Sequence, residues 1–314
     1  MRTAVRAFRI SVMTKIRPAT RADLPAVVSL IARLQADPAH HIGFFGYTEA
    51  EIADELAGVQ PEWHEGALLA IRSSGAICGV LSTDVNTEVG RAWLYGPHID
   101  VPTGHPATPQ AWHKTADMLY EAALRLPHMR DIHDLNLYAH TEHRELAEFA
   151  KRHGFHRETP TRIFTLTGAD LRCMLTQDTE AVERLPSDGS MNAQFTALFD
   201  RCFPDTNNTA DQLLYGKHTV VALRQADGKL AGFAAGYTQE AEHYVDFVAV
   251  EPDMRCVGVG RRVVQGLVRE LDAQNGAKPQ AGAVVSVENH ASAAMFTGLG
   301  FQVELVLVSY RRKP

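Results

Sequence analysis

The stretch with the clearest chemical potential is Tyr244–Leu271, YVDFVAVEPDMRCVGVGRRVVQGLVREL: an apolar strand, a loop holding Arg255, Gly258 and Gly260, and then a helix. Glycines let a backbone turn tightly and aim several N–H groups at one centre. The helix that follows starts with unbonded N–H groups and the positive end of its dipole. Together they form a cradle for a pyrophosphate or similar anion. Arg255, Arg261 and Arg262 add charge that phosphate oxygens can pair with. A lone Gly-x-Gly often does no more than turn the chain. This one is also neither a P-loop, since no Gly-Lys-Ser/Thr follows, nor a dinucleotide fingerprint, since Val263 stands at the third glycine.

Other reactive side chains are scattered. His140 and His143 flank one turn, and His153 and His156 flank Gly154-Phe155, but neither pair comes with cysteines or carboxylates at metal-ligand spacing, so no metal is expected. Cys78, Cys173, Cys202 and Cys256 form no CxxC pair and read as reduced thiols of a cytoplasmic protein.

The elements that must position these groups come in two sets. The 314 residues suffice for two domains, with 45% hydrophobic and 22% charged residues as in ordinary globular chains. A net charge of −6 without a basic run argues against nucleic acid. No apolar run is long enough for a membrane span. Residues 1–14 start basic and without acid; a transit-like segment would look similar, but they are expected to be a disordered extension, with a natural start at Met13.

The chain also repeats itself. Leu68–Gly79 matches Val220–Gly232 as a hairpin. The strand ending at Val101 matches the one ending at Val250, each with a proline within two residues. The helix ending HGF at Phe155 matches the one ending LGF at Phe301, each closed by a left-handed glycine. Three matches in the same order predict tandem domains over 15–169 and 170–314, divided at the turn Thr167-Gly168-Ala169-Asp170. Strands followed by alternating strand–helix–strand give an α/β (α+β) fold, each copy a mixed, mostly antiparallel sheet flanked by helices. In the first copy, helices are expected at 111–126 and 144–153. In the second, a strand is expected at 173–176, helices at 192–202, 210–216, 260–274 and 291–299, and strands at 244–250, 283–287 and 303–311.

Val248-Ala249-Val250, Pro252 and Arg255-x-x-Gly258-x-Gly260 resemble motif A of the GNAT (Gcn5-related N-acetyltransferase) superfamily. Val287-Glu288-Asn289, Ala294-Met295-Phe296 and Leu299-Gly300-Phe301 resemble its motif B, in the right order and at the usual distance. The resemblance implies an acyl-CoA cofactor, usually acetyl-CoA. It places Val248, Ala249 and Val250 along the pantetheine arm. Arg255, Cys256, Val257, Gly258, Val259, Gly260 and Arg261 would surround the pyrophosphate. Asn289 would lie near the pantetheine or its sulfur, although asparagine there also reads as a helix N-cap. Phe296 joins the cofactor-contacting set at a place where many members carry a tyrosine that protonates the leaving thiolate. The two-copy layout resembles that of the mycothiol synthases.

The same resemblance implies direct acyl transfer to a primary amine of a small molecule. An amine needs help in losing its proton. Tyr244, Asp246, Val248 and Val250 alternate along one strand and are expected to share a face. The resemblance makes Asp246 the candidate base and Tyr244 its polar helper. Asp246 could equally bind a cationic substrate or pair with a basic group. Phe296 offers no proton. Tyr310 is a possible donor, although such a residue more often packs, and Cys256 lies at the pyrophosphate end, so it is not a nucleophile. In the first copy the loop after Asp100 has one glycine, Gly104, and prolines 102, 106 and 109, and His143 stands where Asn289 does; this copy is expected to bind acyl-CoA poorly. The other readings are a non-catalytic acyl-CoA sensor and a structural partner. The protein is expected to be a monomer or homodimer.

Overall fold

The computed structural model describes residues 14–101, 108–176, 182–186, 188–204, 206 and 208–313. The expected extension (but for Thr14) and most of the proline-bearing loop lie outside the described residues. In chain order the first copy runs β1 (Lys15–Pro18), α1 (Leu24–Gln35), α2 (Glu49–Gly58), α3 (Trp63–Gly66), β2 (Ala67–Ile71), β3 (Ile77–Asn86), β4 (Arg91–Ile99), α4 (Thr108–Ala123), β5 (Asp134–His140), α5 (Arg144–Arg152), β6 (His156–Arg157) and β7 (Thr161–Thr167). The second runs α6 (Gly168–Thr176), β8 (Val182–Arg184), α7 (Asn192–Cys202), α8 (Ala210–Tyr215), β9 (Thr219–Arg224), β10 (Leu230–Thr238), β11 (Glu242–Val250), α9 (Val259–Asn275), β12 (Gln280–Ser286), α10 (His290–Gly298) and β13 (Gln302–Arg312).

The compact units do not coincide with the two copies. Unit 1 is Met1–Pro160 with Leu307–Pro314; unit 2 is Thr161–Val306. The boundary expected at 169/170 is thus displaced, because each copy gives away its last strand. In unit 1, β1 to β4 pair antiparallel in sequence order, β4 pairs parallel with β5, and Leu307–Arg312 of β13 lies antiparallel to β5. In unit 2, β7 lies antiparallel to β12, β12 pairs parallel with β11, and β10, β9 and β8 follow antiparallel. Repeated sequence reveals similar elements but not which edge each strand joins. Arg311 helps hold β13 in unit 1: its Nε donates to Asp134 Oδ1 at 2.8 Å, and Arg91 Nε donates to Asp134 Oδ2 at 2.9 Å. These guanidinium bonds hold the Asp134 carboxyl well below the usual carboxylate range.

Unit 1 buries Trp112, Ala116, Leu119, Tyr120 and Ala123 of α4, spaced at helical period, against its sheet. Unit 2 has a core on each face of its sheet. Val263, Val264, Leu267 and Leu271 of α9 pack with Val221, Leu223, Ala234 and Val245; Phe195, Leu198 and Phe199 of α7 pack with Val220, Ala222, Phe233, Ala235, Phe247 and Ala249. The strand expected at 173–176 is instead the end of helix α6, whose Leu171 and Met174 are buried at i, i+3. A short apolar run does not separate strand from helix by periodicity alone. Among the described residues no helix is long and apolar enough to cross a membrane.

Candidate functional site

Strand β11 carries a β-bulge at Asp246. Phe247 pairs with Ala235 and Val245 with Gly236, so Asp246 is an extra residue without a partner on β10. A bulge re-aims side chains and breaks the alternation of faces. Before it, Val245 packs with α9; after it, Phe247 and Ala249 pack with α7, while Val248 and Val250 turn to the α9 core. Tyr244 stands beside Tyr237, with ring centroids 5.4 Å apart. The expected four-residue face is therefore corrected. Tyr244 and Asp246 lie on the α7 side of the sheet, and Val248 and Val250 lie on the other.

A second irregularity opens the sheet. β11 and β12 pair from Glu242↔Gln280 only to Val245↔Ala283, whereas β11 follows β10 on to Val250↔Gly232. Past the bulge, the β12-facing edge of Asp246–Val250 has no strand beside it among the described residues. Backbone N–H and C=O groups on such an edge need a partner.

The open edge leads into the glycine loop. Cys256 has φ 61° and Gly258 φ 87°, two left-handed residues in close succession, and α9 begins directly after Gly258. Arg262 N donates to Gly258 O at 3.1 Å, so the N–H groups of Val259, Gly260 and Arg261 precede the helical ladder. Gly260 packs closely on α10: a Cβ would lie 2.7 Å from Met295 Sδ, so the methionine would have to shift, and 3.6 Å from Val250 Cγ2. Arg255 Nε donates to Val250 O at 3.3 Å and ties the loop to the strand, while Val257 is 62% exposed. Arg261 lies over Gly298 of α10 rather than over the loop.

Asn289 caps α10, its Oδ1 accepting from Ser292 N at 3.0 Å. Its repeat partner His143 caps α5 in the same way, Nδ1 accepting from Leu146 N at 3.3 Å. Phe296 is 3% exposed, stacks on Phe164 and meets Phe301 edge-on, so it belongs to the core of unit 2. The reason is the period of α10, which turns that position toward β7. Tyr310 belongs to the core of unit 1. Among the described residues no group of three His, Cys, Asp or Glu is placed to hold a metal ion.

One residue was not legible in the sequence. His218, between α8 and β9, places Nε2 2.8 Å from Asp246 Oδ2. Its ring stands edge-on to Tyr237 at 5.2 Å, and Lys217 Nζ lies 3.5 Å over the centre of the same tyrosine ring. No motif marks His218; only the pairing of β9, β10 and bulged β11 brings it to the carboxylate.

Unit 1 has the same opening but fills it. β4 and β5 stop pairing at Trp93↔Asn136, while β3 and β4 continue to Gly79↔Ile99. The segment His41–Gly43 lies along the exposed edge of β5, with His140 N to His41 O at 3.0 Å, Gly43 N to Tyr138 O at 2.8 Å and an Ile42↔Ala139 bridge. The buried Gln35 carboxamide holds this segment, accepting from Ile42 N at 2.7 Å and donating to Ile42 O at 3.0 Å and Phe45 O at 3.1 Å.

Residues 190–301 match the Acetyltransferase (GNAT) family. The matched segment contains the bulged strand, the glycine loop and α10. Solved structures share the fold over nearly the whole chain. A GCN5-related N-acetyltransferase from Sphaerobacter thermophilus is 14% identical with a TM-score of 0.58, over 96% of this chain and 95% of its own. A tandem GNAT protein from the clavulanic acid biosynthesis pathway is 14% identical with a TM-score of 0.51, over 96% and 98%. A glucosamine N-acetyltransferase region of a fungal multi-domain GH3 β-N-acetylglucosaminidase is 12% identical with a TM-score of 0.56, over 95% and 38%. No curated protein sequence matches the chain.

Proposed function

We propose that unit 2 is an acyl-CoA-dependent N-acyltransferase, with acetyl-CoA as donor and a primary amine of a small molecule as acceptor. The observation that carries this reading is the open edge of Asp246–Val250 running into a left-handed glycine loop at the start of α9. The residues fit acyl-CoA. The backbone of Val248, Ala249 and Val250 matches an amide-bearing pantetheine arm, and the amides of Cys256–Arg261 match a pyrophosphate. Arg255 adds charge. Asn289 stays near that arm only as the cap that fixes α10.

Acyl-CoA supplies an activated acyl group: an amide bond to the acceptor nitrogen forms as the carbon–sulfur bond breaks, and the nitrogen's proton ends on the coenzyme A thiol. Asp246 takes the proton from the amine, and its place in a bulge aims it off the regular strand. Tyr244 stands on the same side and orients the acceptor. The segment His41–Gly43 supports one acyl-CoA per chain, because it occupies the β5 side of the corresponding opening in unit 1, and Phe44 and Phe45 after it pack on Tyr95 and His98 of β4.

A non-catalytic acyl-CoA sensor is the second reading, favoured by the burial of Phe296, which puts no hydroxyl near the site. The resemblance of the two-copy layout to that of the mycothiol synthases names no acceptor. A cytoplasmic monomer or homodimer completes the proposal.

The test is calorimetric titration of acetyl-CoA into wild type and Gly260→Pro, followed by a free-thiol assay over an amine panel. Binding at one site per chain that Gly260→Pro abolishes, with thiol release for some amine, is expected. Binding without release favours the sensor, and no binding overturns both.

A further inference from the structure

We infer that His218 is a positioning residue for Asp246, and that the two act as one proton-handling pair. The inference rests on Asp246 being the group that meets the acceptor amine. The pair is built across three strands. His218 precedes β9 at the level where β10 presents Tyr237, and the bulge in β11 brings Asp246 out on the same side. Nε2 of the imidazole lies 2.8 Å from Oδ2 of the carboxylate. The His218 side chain is 5% exposed and that of Asp246 24%, so an incoming amine meets the carboxylate, with the imidazole behind it. Among the described residues no hydrogen bond engages Oδ1, the oxygen left to face the acceptor.

A bulge residue lacks the cross-strand pairing that fixes its neighbours, so its side chain needs another restraint. The imidazole supplies it. Tyr237 stands edge-on to the ring at 5.2 Å and Phe247 lies at 6.2 Å, and together they hold its plane. The charged and titratable groups around it are Asp246 from β11, Tyr237 from β10 and Lys217 beside it, whose ammonium is drawn onto the Tyr237 ring. With Nε2–H donating, the carboxylate keeps one orientation and can accept a proton through its other oxygen.

The test compares His218→Gln, which keeps an amide N–H near the place of Nε2, with His218→Phe, which keeps the volume and loses the donor. With acetyl-CoA and the best amine of the panel, His218→Phe is expected to lower kcat about 100-fold with the KM for acetyl-CoA unchanged, a loss in the range that misplacement of a reacting group causes. His218→Gln should recover kcat to within about tenfold of wild type. A second readout needs no turnover: the Nε2–H proton of His218 is followed by NMR in wild type and Asp246→Ala, and its downfield, hydrogen-bonded resonance should be lost with the carboxylate. Equal kcat in the Gln and Phe variants overturns the inference, and so does an Nε2–H resonance that loss of the carboxylate leaves unchanged. If wild type acylates no amine, the transferase reading fails, and the NMR measurement still decides whether the pair exists. The same measurement decides the matter if His218→Phe does not fold.

Discussion

Gly260 and Met295 approach so closely that a Cβ on the glycine would stand 2.7 Å from the methionine sulfur. The start of α9 thereby packs against the Met295 side chain of α10. Gly260→Ala forces Met295 aside at a cost of about 1 kcal/mol, held down by the flexibility of the methionine. In a Met295→Ala background the same substitution should cost less, with a coupling of about 0.5 kcal/mol or more between the sites. Urea melts of the four proteins measure this directly; additive costs would mean that the contact constrains nothing.

The exchanged strands make a prediction about fragments. Residues 170–314 lack β7 and so bare the Gln280–Ser286 edge of β12, which invites edge-to-edge association. That fragment should aggregate or remain molten. Residues 161–306 keep every strand of unit 2 and should melt cooperatively. Circular dichroism and light scattering of the two fragments separate the outcomes, and a well-folded 170–314 would contradict the strand assignment.

The histidines of unit 1 set its acid stability. Burial pushes His41, His98, His140 and His143 below the ordinary imidazole value, His98 to about 3. The fold holds these rings neutral, whereas the unfolded chain protonates them near the ordinary value of about 6.5. Stability is therefore full above that value and falls as pH drops through it, by up to about 1.4 kcal/mol per pH unit for each histidine that stays neutral in the fold. Chemical denaturation from pH 8 to 5 should show a plateau and then a decline. His98→Phe should flatten the decline by about one proton.

Gln35 should be costly to replace. Its carboxamide satisfies backbone groups of Ile42 and Phe45 in a site that is 1% exposed. Gln35→Leu leaves Ile42 N and Phe45 O unbonded, while Ile42 O keeps its bond from Phe45 N, and should cost about 3 kcal/mol. Acetyl-CoA stoichiometry should stay at one per chain, since unit 2 is unaffected; a second site opening in the variant would show that His41–Gly43 is all that closes the unit 1 cleft.

The helices were legible because their signals are local. Asn289 and His143 cap α10 and α5, and the expected 192–202 helix is α7 to the residue, since apolar spacing and caps lie within one turn of each other. The glycine loop was legible because left-handed residues there call for glycine, although Cys256 adopts the same region without being one. What escaped depends on partners distant in sequence. The bulge at Asp246 appears only when β11 is set against β10, and it moved Val248 and Val250 to the opposite face. His218 became visible only through that bulge. Phe296 looked like a site residue because its place in the motif is known but its depth is not. Residues 41–43 carry no strand signal, and their pairing with β5 is set by Gln35 and the shape of the gap.

The strand exchange also fixes an order of assembly during synthesis. Domains emerging from a ribosome generally fold in the order in which they are made. Here unit 2 is one unbroken run, complete once Val306 has emerged, whereas unit 1 begins before it and waits for Leu307–Arg312, which follow unit 2 along the chain. The half with the filled cleft is begun before unit 2 and closed after it, so a chain cut before Leu307 leaves the earlier half unfinished.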